Sequence, residues 1–385
     1  MKADIPTLRK PDILTLQRHV LNFQLLWGFA VIGSRAMRPN LRFPFLALIL
    51  TTALAALAAA SMLQARARDL RIYWIDVEGG AATLIVAPSG ESLLVDTGFP
   101  GDRDTNRIVA AVKAAGLTKL NALVVTHYHA DHVGGVPALA KLIPIDKFYD
   151  HGESIEMATQ HGPEFFNGYI AAAGGKRTVA KPGDKIPLAG VDITVVSANG
   201  EVIGSPVSNG GGANEFCKDA QQKPEDKTEN SRSVGFLLTY GKFKFLDLGD
   251  LTWDREMMLA CPVNKIGTVT LFQASHHGFS GGQSGSPAFV WALRPKVVIV
   301  NDGPRKGFEA ASYDIMQKIP GIEGIWQVHR AVQSDAAHNT SEEMIANLEE
   351  GPSDQGLGLE VAASKSGQFT VTNARNKFQK TYNAH

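Results

Sequence analysis

From residue 70 onward, short apolar runs alternate with stretches of helical period, and Gly, Pro and Asn turns separate them. The runs at 70–77, 82–87 and 92–96 are rich in β-branched and apolar residues. With Pro88-Ser89-Gly90 between two of them, they predict a meander that ends on Asp96-Thr97-Gly98. Ile108, Val109, Val112 and Ala115 recur at helical spacing and predict a helix over about 104–115. A short buried strand is expected at 122–125 and a helix at 136–142.

The second half repeats this order. Strands are expected at 191–197, 233–240, 243–248, 269–273, 297–300 and 324–328, with helices at 253–260, 287–293, 313–319 and 341–348. The stretch 204–230 has no periodicity and is rich in Gly, Asn, Lys and acidic residues, so it reads as a long surface loop. Strands in each half with helices between them predict an α/β (αββα) four-layer sandwich, two sheets packed face to face and covered by helices.

The first 67 residues follow another rule. Arg38 and Arg42 precede an apolar run at 43–60, and Ala65-Arg66-Ala67 follows, which is the order of a signal peptide with maturation near Arg68. The alternative is a retained membrane anchor, since about 18 apolar residues is the lower edge of spanning length. Residues 1–36 precede the methionine of that signal, Met37, and read as a spurious upstream extension. The division is therefore extension 1–36, signal or anchor 37–67, and a single domain 68–385, exported to the periplasm or outside the cell. In an oxidising compartment Cys217 and Cys261 either pair as a disulfide or remain two free thiols.

Composition narrows the partners. Lys plus Arg and Asp plus Glu both number 38, so net charge offers no argument for gripping polymeric nucleic acid, though local basic residues could handle a small-molecule substrate. Once the signal is cleaved, no membrane partner is expected.

The chemistry concentrates directly after the strand at 122–125, in Thr126-His127-Tyr128-His129-Ala130-Asp131-His132-Val133-Gly134-Gly135. Three imidazoles and a carboxylate within six residues on one turn point to a metal. With Asp96-Thr97-Gly98, Leu248-Gly249-Asp250 and Ser275-His276-His277-Gly278 in the same order and spacing, the chain resembles the metallo-β-lactamase superfamily. Through Ile75-Asp76-Val77-Glu78-Gly79-Gly80-Ala81, Asn230, Ser233 and the double histidine, it is similar to the hydrolase domain of ComEC-type DNA-uptake proteins and to secreted choline-phosphate esterases. The resemblance covers about 70–305.

The resemblance implies that His127 and His129 bind one metal, that Asp131, His132 and His277 bind a second, and that Asp250 bridges them. Two divalent transition-metal ions are expected, zinc first and manganese or iron as alternatives, holding a hydroxide nucleophile between them. His276 is the candidate for contacting a substrate oxygen or protonating the leaving group, so the catalytic set is Asp131 and His276. Asp96 is read either as the partner of a ligand imidazole or as a turn cap.

One departure matters. The Gly-His-Thr type segment that completes the first metal site of true lactamases is absent between His132 and Asp250, and only His151 and His161 stand there. His151 is therefore either a site residue or a loop histidine. Arg305 and Lys306, in a turn after a strand, either meet a phosphate or stay solvated. Asp76 and Glu78 read as polar residues at a strand end. The expected activity is hydrolysis of a phosphodiester or phosphate ester. The alternatives are hydrolysis of a lactam, lactone or thioester, and a secreted binding protein without catalysis.

Overall fold

The computed structural model describes residues 69–351 and 354–385. The segments 1–36 and 37–67, with the expected maturation point at Arg68, lie outside the described residues.

The first meander forms as β1 (Leu70–Trp74), β2 (Thr83–Val86) and β3 (Ser92–Val95). Helix α1 (Asp102–Ala114) follows, with Asp102 and Asp104 in its first turn and Lys113 in its last, charges that suit the helix dipole. Then come β4 (Ala122–Val124), the short α2 (Ala130–Val133), α3 (Val136–Leu142), β5 (Phe148–Asp150), α4 (Gly162–Ala173) and β6 (Arg177–Val179). The second half contains β7 (Asp192–Ala198), β8 (Glu201–Val202), β9 (Gly212–Ala213), β10 (Gly235–Tyr240) and β11 (Phe243–Asp247), then α5 (Trp253–Ala260), β12 (Val263–Asn264) and β13 (Leu271–Gln273). It closes with α6 (His276–Phe279), α7 (Pro287–Leu293), β14 (Val297–Val300), α8 (Ala310–Gln317), β15 (Gly324–His329), β16 (Ile345–Asn347), β17 (Leu359–Ala363), β18 (Gln368–Asn373) and β19 (Gln379–Asn383).

One sheet runs β19-β18-β17-β1-β2-β3-β4-β5-β6 and the other β16-β15-β14-β13-β11-β10-β7-β8. In each, antiparallel strands lead into a parallel set: β3 to β6 in the first, and β11, β13, β14, β15 and β16 in the second.

Strand alternation sorts side chains between layers. On β2, Ile85 enters the core between the sheets with Trp74, Val95, Phe236, Phe245 and Trp326, while Leu84 faces Ile108, Val112, Leu139 and Tyr169 of the helices outside. On the other sheet Leu246, Phe272 and Val298 pack beneath Leu259, Phe289, Leu293 and Met316 of α5, α7 and α8. Each such side chain contributes about 1.5–3 kcal/mol when fully buried. The expected αββα sandwich is the observed one.

Several elements depart from expectation, among them α4 and β6, where none was expected. The helix expected at 341–348 is a single 3-10 turn, Glu342–Met344, followed by β16, because Ile345 and Asn347 pair in parallel with Gln327 and His329. The helix at 313–319 begins earlier, at Ala310, and ends at Gln317. The hairpin β17-β18-β19, which carries no expected element, extends the first sheet through β1. The loop 204–230 is largely irregular as expected, and a Cys217–Cys261 disulfide ties it to the end of α5. Among the described residues no helix is long and apolar enough to cross a membrane.

Candidate metal centre

The parallel strands of both sheets end on the same side, and their carboxyl-terminal loops carry the polar residues, the usual place for a site in α/β sheets. His127 lies three residues beyond β4. His129 caps α2, and that single turn points Asp131 and His132 inward. Asp250 follows β11, and His276 and His277 follow β13.

Asp131, His132, Asp250 and His277 each offer one ligand atom, and these atoms lie within 4.8 Å of one another. His132 Nε2 is 3.2 Å from His277 Nε2 and 3.3 Å from Asp250 Oδ1. Asp250 Oδ2 lies 3.4 Å from His277 Nε2 and 3.9 Å from His127 Nε2, so this carboxylate stands between the two groups of histidines. His127 Nε2 is 3.0 Å from His129 Nδ1.

The second nitrogen of each ligand candidate is engaged elsewhere. His132 Nδ1 lies 2.7 Å from Asp96 Oδ2, which also accepts from Thr126 Oγ1. His277 Nδ1 faces the Asn301 carbonyl at 3.4 Å, and His127 Nδ1 faces Thr126 Oγ1 at 3.1 Å and Ser233 Oγ at 3.5 Å. Imidazoles held from behind in this way present their other nitrogen to a cation, and the mixed imidazole and carboxylate donors fit a divalent transition metal.

Charge agrees with that fit. Burial would raise Asp131 and Asp250, but His132, His277 and, for Asp131, Lys306 hold both well below the usual carboxylate range. Burial would lower His132, but Asp250, Asp131 and Asp96 push it well above the ordinary histidine value. His127 has less compensation, and burial with the neighbouring His132 and His129 drives it well down. In the metal-free chain these carboxylates are compensated by the histidines and Lys306, which a bound cation would replace in part.

The double histidine sits on unusual backbone. His276, His277, Gly278 and Phe279 all have positive φ (51, 56, 95 and 72°), and the Gly278 and Phe279 amides donate to the Ser275 carbonyl at 3.2 and 2.8 Å. This is one left-handed turn, costing roughly 1–2 kcal/mol for each non-glycine residue. A Cβ on Gly278 would stand 2.8 Å from Val300 Cγ1 and 3.0 Å from the Phe308 amide, so that position needs glycine. The turn aims His277 at the cluster and leaves His276 Nε2 3.5 Å from Asp250 Oδ2.

Most of the remaining candidates fall at the centre. Asp96 supports His132, as the first of its two readings expects. Ser233 Oγ also accepts from the Asp250 amide at 3.3 Å, and Asn230 is buried one turn away. Lys306 Nζ contacts Asp131 Oδ2 and lies 5.7 Å from the Phe99 ring centroid.

Two candidates are displaced. Arg305 is exposed and pairs with Glu350, because its side chain leaves the turn on the opposite side from Lys306. His151 is fully buried, and its Nε2 lies 2.7 Å from Glu229 Oε1, so it neither joins the cluster nor reaches a substrate.

Sequence reasoning missed Glu229, Glu156 and the pairing of Asp76 with His329 at 2.6 Å. Glu229 adjoins Asn230 in the Asn230-x-x-Ser233 segment and was the one within reach. Glu156 lies in a stretch without a recognisable pattern, whereas His329 directly follows the strand expected at 324–328.

A family model described as the metallo-beta-lactamase superfamily matches residues 75–213. An atrochrysone carboxyl ACP thioesterase of Cryptosporiopsis sp. is 36% identical over 89 residues, 22% of this chain and 27% of that relative, so the match spans about a quarter of the relative's length. A UPF0173 metal-dependent hydrolase of Cupriavidus necator is 26% identical over 240 residues, 61% of this chain and 74% of the relative. The competence protein ComA of Neisseria gonorrhoeae is 26% identical over 244 residues, 63% of this chain and 28% of the relative. The stretch that matches the metallo-β-lactamase superfamily, residues 75–213, includes the His127 to His132 segment at the shared edge of the two sheets.

Proposed function

We propose that this chain is an exported metal-dependent hydrolase of phosphodiesters or phosphate esters. The observation that carries the reading is the convergence of Asp131, His132, Asp250 and His277 within 4.8 Å, with His127 and His129 on the other side of Asp250. His127 and His129 would hold one ion, Asp131, His132 and His277 a second, and Asp250 both. Bound there, divalent ions would lower the pKa of water toward neutrality and polarise the bond under attack.

The chain's own groups supply the rest. Lys306 reaches the rim at Asp131, where its ammonium can receive an anionic oxygen of the substrate. That cation favours a phosphate ester over a neutral lactam. His276 is buried beside Asp250, with Nε2 3.5 Å from Asp250 Oδ2, and its buried Nδ1 has no partner among the described residues. Its place beside Asp250 makes it the candidate for meeting a substrate oxygen or handing a proton to the leaving group. The Cys217–Cys261 disulfide supports export to an oxidising compartment.

A second reading, cleavage of a thioester or lactone, is favoured by the relatives named as thioesterases. The test is metal content of the purified chain, followed by parallel assays on phosphodiesters, phosphomonoesters, thioesters and lactones. Metal-dependent turnover confined to phosphate esters supports the proposal. Turnover confined to thioesters or lactones replaces it with the second reading, and turnover of none removes both.

A further inference from the structure

We propose that Glu156 is the positioning carboxylate of the His127/His129 half of the centre, and that the buried Glu229 holds the loop that delivers it. The inference rests on the metal-dependent reading above.

His129 turns Nδ1 toward His127 Nε2, 3.0 Å away, which leaves its Nε2 facing outward. Glu156 Oε1 lies 3.4 Å from that outward nitrogen. The relationship repeats the one between Asp96 and His132 on the other half, where a carboxylate behind the ring fixes which nitrogen faces the cation. A half-centre with only two imidazoles and a shared carboxylate depends more on the aim of each ring than one with three.

Glu156 belongs to no strand or helix, so something else must fix it. Its amide donates to Ser154 Oγ at 3.1 Å, and its carbonyl accepts from Thr159 Oγ1 at 2.8 Å. The loop in turn is organised around Glu229, which comes from the other half of the chain and is fully buried. The Glu229 carboxylate receives His151 Nε2 at 2.7 Å, the Ile155 amide at 3.1 Å and Ser154 Oγ at 3.4 Å. One buried carboxylate thus shapes residues 151–156 and orders the backbone that carries Glu156. This also gives His151 a role: it satisfies Glu229 rather than a metal.

The test compares wild type with Glu156→Ala, Glu156→Gln and Glu156→Asp by titrating zinc into chelator-treated protein against a chromophoric chelator, with thermal unfolding measured alongside. The wild type is expected to take up two ions. In Glu156→Ala and Glu156→Gln the affinity of one ion should fall about 10- to 100-fold while the other is unchanged. Glu156→Asp should recover part of the loss, and the melting temperature of the metal-free protein should not move. Two ions bound with wild-type affinity in Glu156→Ala overturn the inference alone. So does an equal loss at both ions accompanied by a lower melting temperature, which is the mark of a structural role. Fewer than two ions on the wild type overturn the two-ion reading and this inference together.

Discussion

The indole N–H of Trp74, on one sheet, donates to Gln273 Oε1, on the other, at 2.7 Å. Thr83 Oγ1 donates to the same oxygen at 2.9 Å, and Gln273 Nε2 donates to Asp247 Oδ1 at 3.1 Å. A single amide therefore satisfies polar groups from both sheets in an otherwise apolar interior. Asp247 also accepts from the Gly249 amide at 3.0 Å, one residue before Asp250. Gln273→Ala should orphan the Trp74 and Thr83 donors and cost about 2–4 kcal/mol in urea unfolding. A loss below about 0.5 kcal/mol would show that water replaces the amide.

Asp96 has no route to substrate, being buried behind His132. Asp96→Ala should weaken one bound ion by about 10- to 100-fold through the loosened His132 ring. Equilibrium dialysis against graded zinc concentrations reads the change, and unaltered binding of both ions would remove Asp96 from the centre.

Lys306 and Arg305 are adjacent in sequence but face different surroundings, the one Asp131 and the other Glu350. Lys306→Met should raise KM for anionic esters roughly 10-fold or more, the worth of a charge-assisted hydrogen bond of about 1.5–3 kcal/mol. Arg305→Met should leave KM within error. Equal effects of the two substitutions would mean that general surface charge, rather than a contact at the centre, attracts the substrate.

Glu256, fully buried on α5, is pushed by burial from 4.5 up to about 7, against the stabilising Ser286 amide. Between those values the folded chain keeps a proton that the unfolded chain releases. Its contribution to stability is complete below about 4.5, declines as pH rises toward 7 and is absent above that. At about 1.4 kcal/mol per pH unit the loss is roughly 3 kcal/mol. Glu256→Gln should flatten that part of the curve, as measured by urea unfolding from about pH 5 to pH 8. Parallel curves for wild type and variant would mean that Glu256 is ionised in the fold.

The Cys217–Cys261 bond closes a segment with a sequence separation of 44 that contains Glu229, Asn230 and Ser233. Reduction should lower unfolding stability by roughly 4 kcal/mol through the freed chain entropy. Because Lys223 of this segment contacts the Gly282 carbonyl just past the double histidine, activity should fall as well. Full activity in the reduced protein would separate the loop from the site.

The cluster was legible because its candidate ligands sit in compact local patterns. His127, His129, Asp131 and His132 share one turn, and Asp96, Asp250 and His277 each follow a strand that apolar runs already mark. Periodicity likewise revealed the two sheets and the helices covering them. What stayed hidden depends on distant partners. Glu156 and Glu229 acquire meaning only through contacts with His129 and His151, from loops with no period of their own. Ile345 to Asn347 follow a plausible helix start at Ser341, yet the free edge of β15 captures them as a strand. Leu359 to Ala363 read as a strand only once β1, far back in the chain, supplies the pairing edge.

That last pairing bears on how the molecule is made. β1 leaves the ribosome early, yet one of its two hydrogen-bonding neighbours, β17, is translated some three hundred residues later. Until then β1 exposes a bare edge able to pair with a neighbouring nascent chain. Every residue of the metal centre lies between these two strands in sequence, so the centre is synthesised before the sheet supporting it is closed. Translation that stops short of Leu359 should therefore yield aggregates rather than a smaller working enzyme.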